Sequence, residues 1–175
     1  SIADGYPGLL GEISASVNSV KDRLVRLTQT LESVAAGDLS DLAAYRSINN
    51  GTGRRCDNDR IAPAVAAMIE SVLALVADID TLSAAAVAGR LSTRAEVSRH
   101  QGDFARAVTG VNRTFDAVVG PLADAQAALD LLADRDLTAR MTGDRPGDFA
   151  ALKEAINTAA ETIDRGLSQV ALAAD

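Results

Sequence analysis

The residues best suited to chemistry stand apart from one another. His100 is the only histidine and Cys56 the only cysteine, so no intrachain disulfide can form, and Cys56 has no second Cys or His at metal-ligand spacing. Cys56 reads as a small loop residue in a reducing compartment. His100, in Ser98-Arg99-His100-Gln101 beside a helix start, reads as a solvated connector residue rather than a pH switch or metal ligand. Asp103 and Asp148 would suit acid–base work if read alone, but each opens a predicted helix and lacks a catalytic partner at workable spacing. Capping is the simpler role. Gly51-Thr52-Gly53-Arg54-Arg55 has an anion-binding look without the Lys-Ser/Thr ending of a phosphate loop, and reads as a flexible connector. No catalytic residue, cofactor site or metal site is expected, and the chain is not expected to be an enzyme.

What remains is scaffolding, and the composition says what kind. Of 175 residues, 47% are hydrophobic but only 3% aromatic, with no Trp. Any core is therefore built from Ala, Val, Leu and Ile, side chains that suit closely spaced helices. The net charge of -7, with Lys and Arg scattered, disfavours nucleic acid as a partner. There is no uninterrupted apolar run of about eighteen residues and no signal-peptide start, so this piece is expected outside any membrane. Ala84-Ala85-Ala86 and the run Ala171 to Ala174 are too short to span and read as close helix packing.

The chain repeats itself. Gly102-Asp103-Phe104-Ala105 recurs as Gly147-Asp148-Phe149-Ala150, and Asn112 and Asn157 each follow their Phe by eight residues. From Phe104, apolar residues Val108, Val111, Phe115 and Val118 fall at offsets of four, seven, eleven and fourteen, one heptad-type face. Ile61 starts the same series with Val65, Met68, Val72 and Leu75. In the Phe149 copy, offset four is Lys153, beside Leu152, before Ile156, Ala160 and Ile163. Pro7-Gly8-Leu9-Leu10, with Asn18 eight residues after Leu10, looks like the second half of another unit, as if the chain began inside a longer protein.

A second pattern precedes each of these helices. Leu24, Leu27, Leu31 and Val34 lead to Gly37; Val76, Ile79, Ser83 and Ala86 lead to Gly89; Leu122, Ala125, Leu129 and Leu132 lead to Arg135. The breaks Gly37-Asp38-Leu39, Gly89-Arg90-Leu91 and Arg135-Asp136-Leu137 each combine a helix-closing position with an apolar residue. Asp103 and Asp148 are placed to cap the next helix and favour its dipole. Helices are expected over about 59–88 and 103–133, the latter with a candidate kink at Gly120-Pro121. Units joined this way share a helix.

A helix ending in a Gly-Asp-Leu-like turn, a connector with spaced apolar anchors, an acidic residue opening the next helix and an Asn in its second heptad together resemble the HAMP linker domain of bacterial chemoreceptors. The resemblance covers nearly the whole chain as a tandem array: 1–20 as the second helix of a truncated unit, 21–75 as a divergent unit with a long connector over 38–58, 72–120 with connector 89–102, and 121–175 with connector 134–147. Arg135 where the family prefers Gly, and Phe after the acidic residue where the family prefers Ile, are departures.

The resemblance implies an all-α fold: a parallel homodimer of stacked four-helix bundles, each connector running up the outside. The implied connector anchors are Leu91 with Ala95 or Val97, Leu137 with Met141, and Leu39 with an unassigned partner. Bundle core and dimer interface are expected at Leu24, Leu27, Leu31, Val34, Ile61, Val65, Met68, Val72, Ile79, Phe104, Val108, Val111, Phe115, Leu122, Leu129, Leu132, Phe149, Leu152, Ile156 and Ile163. Gly37, Gly89, Asp103 and Asp148 mark turns and caps. Phe104 and Phe149 read as core plugs before they read as rotameric gears. Asn112 and Asn157 are either register-setting seam residues or solvated flank residues.

By the same resemblance the function is signal relay in a cytoplasmic portion of a chemotaxis receptor, with further receptor domains on either side and a histidine kinase as the indirect partner. The rival from another class is a scaffolding protein, a monomeric antiparallel bundle whose repeats set length without switching.

Overall fold

The structure, a computed structural model, describes residues 8–144 and 146–174; Pro7 of the truncated-unit pattern lies outside them. The described residues form helices and connecting segments, with no strand among them. In order these are α1 (Leu9–Ala35), α2 (Leu42–Arg46), α3 (Ile48–Gly51), α4 (Ile61–Val87), a 3₁₀ turn at Val97–Arg99, α5 (Gly102–Ala133) and α6 (Asp148–Ala174). The chain divides into a unit ending at Ala77 and a unit beginning at Asp78, so the division falls inside α4. The all-α class expected from the repeat is the class observed.

Three helix ends close in the same way. At the end of α1 the Gly37 N–H donates to Val34 O and the Asp38 N–H to Ser33 O; at α4 the pairs are Gly89 to Ala86 and Arg90 to Ala85; at α5, Arg135 to Leu132 and Asp136 to Leu131. This double closure needs a left-handed residue. Gly37, Gly89 and Arg135 have φ of 86°, 74° and 69°. Glycine meets the requirement without strain and arginine does not, so the departure at Arg135 changes the residue and keeps the turn.

In the first unit, the long connector is not the open loop its Asn-Gly-Thr-Gly run suggests. It folds into α2 and the short turn α3, where Asn49 and Asn50 take left-handed backbone, a conformation Asn tolerates. Tyr45 of α2 is buried with Ala62, Val65 and Ile69 of α4, and Leu27, Val34, Leu39, Leu42 and Ile48 close around them. The Tyr45 hydroxyl donates to Thr30 Oγ1 at 3.4 Å, and that hydroxyl donates to Asp41 Oδ2 at 2.6 Å. Asp59 ends the connector: its Oδ1 accepts the Ile61 and Ala62 N–H groups, while Oδ2 accepts the Arg55 N–H and guanidinium. It is the cap of α4. The Arg55 amide, as the largest influence, holds its carboxyl below the ordinary aspartate range.

In the second unit, α5 runs through Pro121, which is deeply buried. Proline has no N–H, so the Ala117 carbonyl loses its usual helical donor. The core here is Ala125 and Ala128 of α5, Met141 of the last connector and Ile156 of α6, with Leu152 against them. Small alanines let helix and connector approach closely, and Met fills the irregular gap.

α4 has 27 residues and a mean hydropathy of 1.8 in its most apolar stretch, enough by length and composition to cross a membrane. It also carries Glu70, bound by Arg46 at 2.7 Å, and Asp78, bound by Arg99 and His100. Glu70, Asp78 and Asp80 interrupt its apolar sequence, so it contains no unbroken apolar run of about eighteen residues.

Candidate functional site

In the second unit each connector lies on the helix that follows it and is held by the same device. Asn112 of α5 accepts the Ala95 N–H on Oδ1 at 3.0 Å and donates from Nδ2 to the Ala95 carbonyl at 2.8 Å. Asn157 of α6 does the same to Met141, at 2.8 and 3.1 Å. An extended backbone residue has one donor and one acceptor, and a primary amide is their complement. Both asparagines are half-buried and spent on the connector, an arrangement that neither the register reading nor the solvated-flank reading anticipated.

An arginine stiffens each connector from within. Arg94 Nη1 donates to the carbonyls of Leu91 and Thr93, both at 2.7 Å, and Arg140 Nη1 to those of Leu137 and Ala139, at 2.6 and 2.7 Å. Arg94 also reaches α5: Nε and Nη2 donate to Asp116, and the guanidinium lies 5.5 Å from the centre of the Phe115 ring. The combination orients a planar cation on both a carboxylate and an aromatic face. On the last connector Lys153 donates to the Gly143 carbonyl at 2.7 Å. That contact accounts for a lysine where the heptad pattern asks for an apolar residue.

The start of a connector has its own lock in two cases. Asp38 accepts the Ser40 N–H, and Asp136 accepts both the N–H and the hydroxyl of Thr138. These bonds hold both carboxyls below their ordinary range, led by the Ser40 N–H for Asp38 and by the Thr138 hydroxyl for Asp136. Such turns fix the chain as it leaves the helix.

Of the expected anchors, Met141 is buried and Leu39, Leu91, Val97 and Leu137 are half-buried, Val97 within the 3₁₀ turn. Of the expected bundle positions, Val65, Val108 and Ile156 are buried. Leu27, Val34, Met68, Val72, Val111, Phe115, Leu132, Phe149 and Leu152 are half-buried. Leu24, Leu31, Ile61, Ile79, Phe104, Leu122, Leu129 and Ile163 are exposed in the single chain. The residues buried instead lie one step round the helix: Ala62, Ile69, Leu82 and Ala85 on α4, Pro121 and Ala128 on α5. α4 and α5 thus bury one set of apolar residues against their own chain and leave a neighbouring set uncovered.

Two expectations need correction. Asp103 does not cap α5: the helix begins at Gly102 after Gln101 with no side-chain cap, and the Asp103 carboxylate sits in the first turn paired with Arg106 at 2.7 Å. Asp148 likewise lies in the first turn of α6. Both favour the helix dipole from inside the helix. His100 is not solvated: it is buried, with Nε2 2.6 Å from Asp78 Oδ2. A lone polar residue in a connector gives no sequence sign of a partner 22 residues upstream.

The repeated geometry, a helix closed by a left-handed turn and a connector clamped by an Asn on the next helix, agrees with what family comparison finds. Residues 99–165 match the HAMP domain family. The HAMP match takes in the end of the middle connector, all of α5, the last connector and most of α6. The chain is also similar to the methyl-accepting chemotaxis protein McpB of Pseudomonas aeruginosa, 36% identical over 98 residues. That alignment spans 56% of this chain and 14% of the relative's length. Residues 99–165 are thus similar to a HAMP domain, and the chain is similar to a small part of a chemoreceptor. Lining up the connectors alone would have found the clamps, since Leu91, Arg94 and Ala95 recur at the same spacing as Leu137, Arg140 and Met141.

Proposed function

We propose that this chain is a cytoplasmic signal-relay segment of a chemotaxis receptor, working as a parallel homodimer of HAMP-like units in tandem. The unit boundaries are those read from the repeat, with 72–120 and 121–175 as two units and 21–75 as a divergent third. An input domain upstream shifts helix position, each bundle changes packing, and the helices carry the change toward an output that controls a histidine kinase. The segment has no catalytic part in this reading.

The observation that carries it is the uncovered seam. On α1, Leu10, Ile13, Val17, Val20 and Leu24 recur at spacings of three and four, Leu31 follows one heptad after Leu24, and all six are 45% exposed or more. On α5, exposed Phe104, Val118, Leu122 and Leu129 stand fourteen, four and seven residues apart in the same heptad series, in which Val108 and Ala125 are buried by the chain itself. A strict period of 3.5 on a long helix is the pattern of a helix that packs on other helices along its length, and the connectors already occupy the other face. A second copy supplies the missing partners. The cytoplasmic assignment is supported by Glu70 and Asp78, whose bonds to connector residues put polar chain alongside α4, where a lipid-facing span has none.

A relay needs two packings of similar free energy, so that a few kcal/mol of differential stabilisation moves the population. Small residues at seam positions, Ser83, Ala86 and Ala125, keep either packing from dominating. Solution mass by light scattering, with small-angle X-ray scattering for shape, is the first test: an elongated dimer of twice 18.1 kDa is expected, and a compact monomer returns the chain to the scaffold reading. In a receptor carrying this chain, Ser83→Leu is expected to lock the output in one state.

A further inference from the structure

We propose that Asp78, Arg99 and His100 form a latch that positions the far end of the middle connector on α4 and sets the resting state of the relay; it rests on the relay reading above. The connector's middle is tied to α5, through Asn112 to Ala95 and Asp116 to Arg94. Its far end is tied to α4 instead. His100 Nε2 lies 2.6 Å from Asp78 Oδ2 and Arg99 Nη1 donates to Oδ1 at 3.0 Å, so both carboxylate oxygens are engaged. A carboxylate paired with arginine only accepts, which makes Nε2 the donor.

Between the two ties the chain is short and stiff. Val97–Arg99 is a 3₁₀ turn, and the Ser98 hydroxyl donates to Glu96 at 2.6 Å. Neighbouring charges have other partners: Arg94 is on Asp116, and Asp103 is on Arg106. The His100 side chain is 1% exposed and that of Asp78 10%. Separating them strands a buried carboxylate and a buried donor, the expensive way to break a polar contact. Arg99, 52% exposed, is the outer and weaker leg. A displacement of α4 against α5 must therefore carry the connector along or open this latch, which gives the segment two discrete arrangements.

The single histidine makes the test clean. In ¹⁵N-labelled chain, imidazole spectra are expected to show one solvent-protected Nε2–H. Asp78→Ala should abolish it, and Asp78→Asn, which keeps one oxygen, should retain it weakened. By hydrogen exchange, Asp78→Ala should speed residues 97–101 by about tenfold or more while the amide of Ala95, held by Asn112, stays protected. Should Asp78→Ala not fold, Arg99→Gln removes only the outer leg and should speed the same residues by about twofold. No protected Nε2–H in the parent chain, or an acceleration spread evenly over α4 and α5, would overturn the latch. In a receptor carrying this chain, baseline output should shift in the order Ala, then Asn. An output that Ser83→Leu moves and Asp78→Ala does not sinks the latch alone; an output that neither moves sinks the relay reading.

Discussion

Asn112 holds Ala95 by both of its backbone groups, one amide side chain closing a ring of two hydrogen bonds at 3.0 and 2.8 Å across 17 residues of sequence. The same ring joins Asn157 to Met141 on the last connector. The connector could not lie against its helix without some such partner, because half-buried N–H and C=O groups need one.

Replacing either asparagine by alanine should therefore destabilise the chain by about 1–3 kcal/mol, since two backbone groups lose their partners. Asparagine to aspartate should cost about as much, the second carboxylate oxygen facing the carbonyl that the amide had satisfied. Urea denaturation of Asn112→Ala, Asn157→Ala and Asn157→Asp would measure this, and changes well under 1 kcal/mol would mean that water replaces the clamp.

Arg135→Gly should stabilise the chain by about 1 kcal/mol, because φ of 69° is strained for any residue with a Cβ. Gly89→Ala should destabilise by a similar amount. A Cβ at Gly89 meets nothing within 4 Å, so that loss would be conformational and steric crowding would have no part in it. Paired thermal melts of the two variants would show opposite signs.

Asp59 predicts an acid limb. Its folded carboxyl sits below the ordinary value near 3.8, so its stabilisation is fully present above that value and fades as pH falls through the lower, folded one. Asp59→Ala should remove about 0.5–2 kcal/mol of capping at neutral pH and flatten the dependence of stability on pH below about 4. Denaturation series at neutral and acid pH for parent and variant would check both parts.

Leu129→Glu tests the uncovered seam. Leu129 is 51% exposed in the single chain, so a glutamate there should leave a monomer's stability within about 0.5 kcal/mol. In a parallel dimer it places two like charges in an apolar layer. Light scattering should then report half the parent mass, and an unchanged mass would remove Leu129 from the interface.

Much of this architecture is written in one dimension. The period of 3.5 along α1 and α5, the helix-closing residues at 37, 89 and 135 and the spacing of the two Phe-to-Asn pairs are local or repetitive properties. Local backbone preference and apolar periodicity therefore determine helix, break and helix without reference to what packs where. Tertiary structure decided which neighbouring stripe each helix buries within its own chain, because residues 61 and 62 or 68 and 69 differ only by a rotation of about 100°. It also decided that Tyr45 would fold a long polar connector onto α4, that Lys153 would reach a carbonyl, and that His100 would meet Asp78 across 22 residues. Those contacts join polar groups distant in sequence, and pairings of that kind leave no period for a single chain's sequence to reveal.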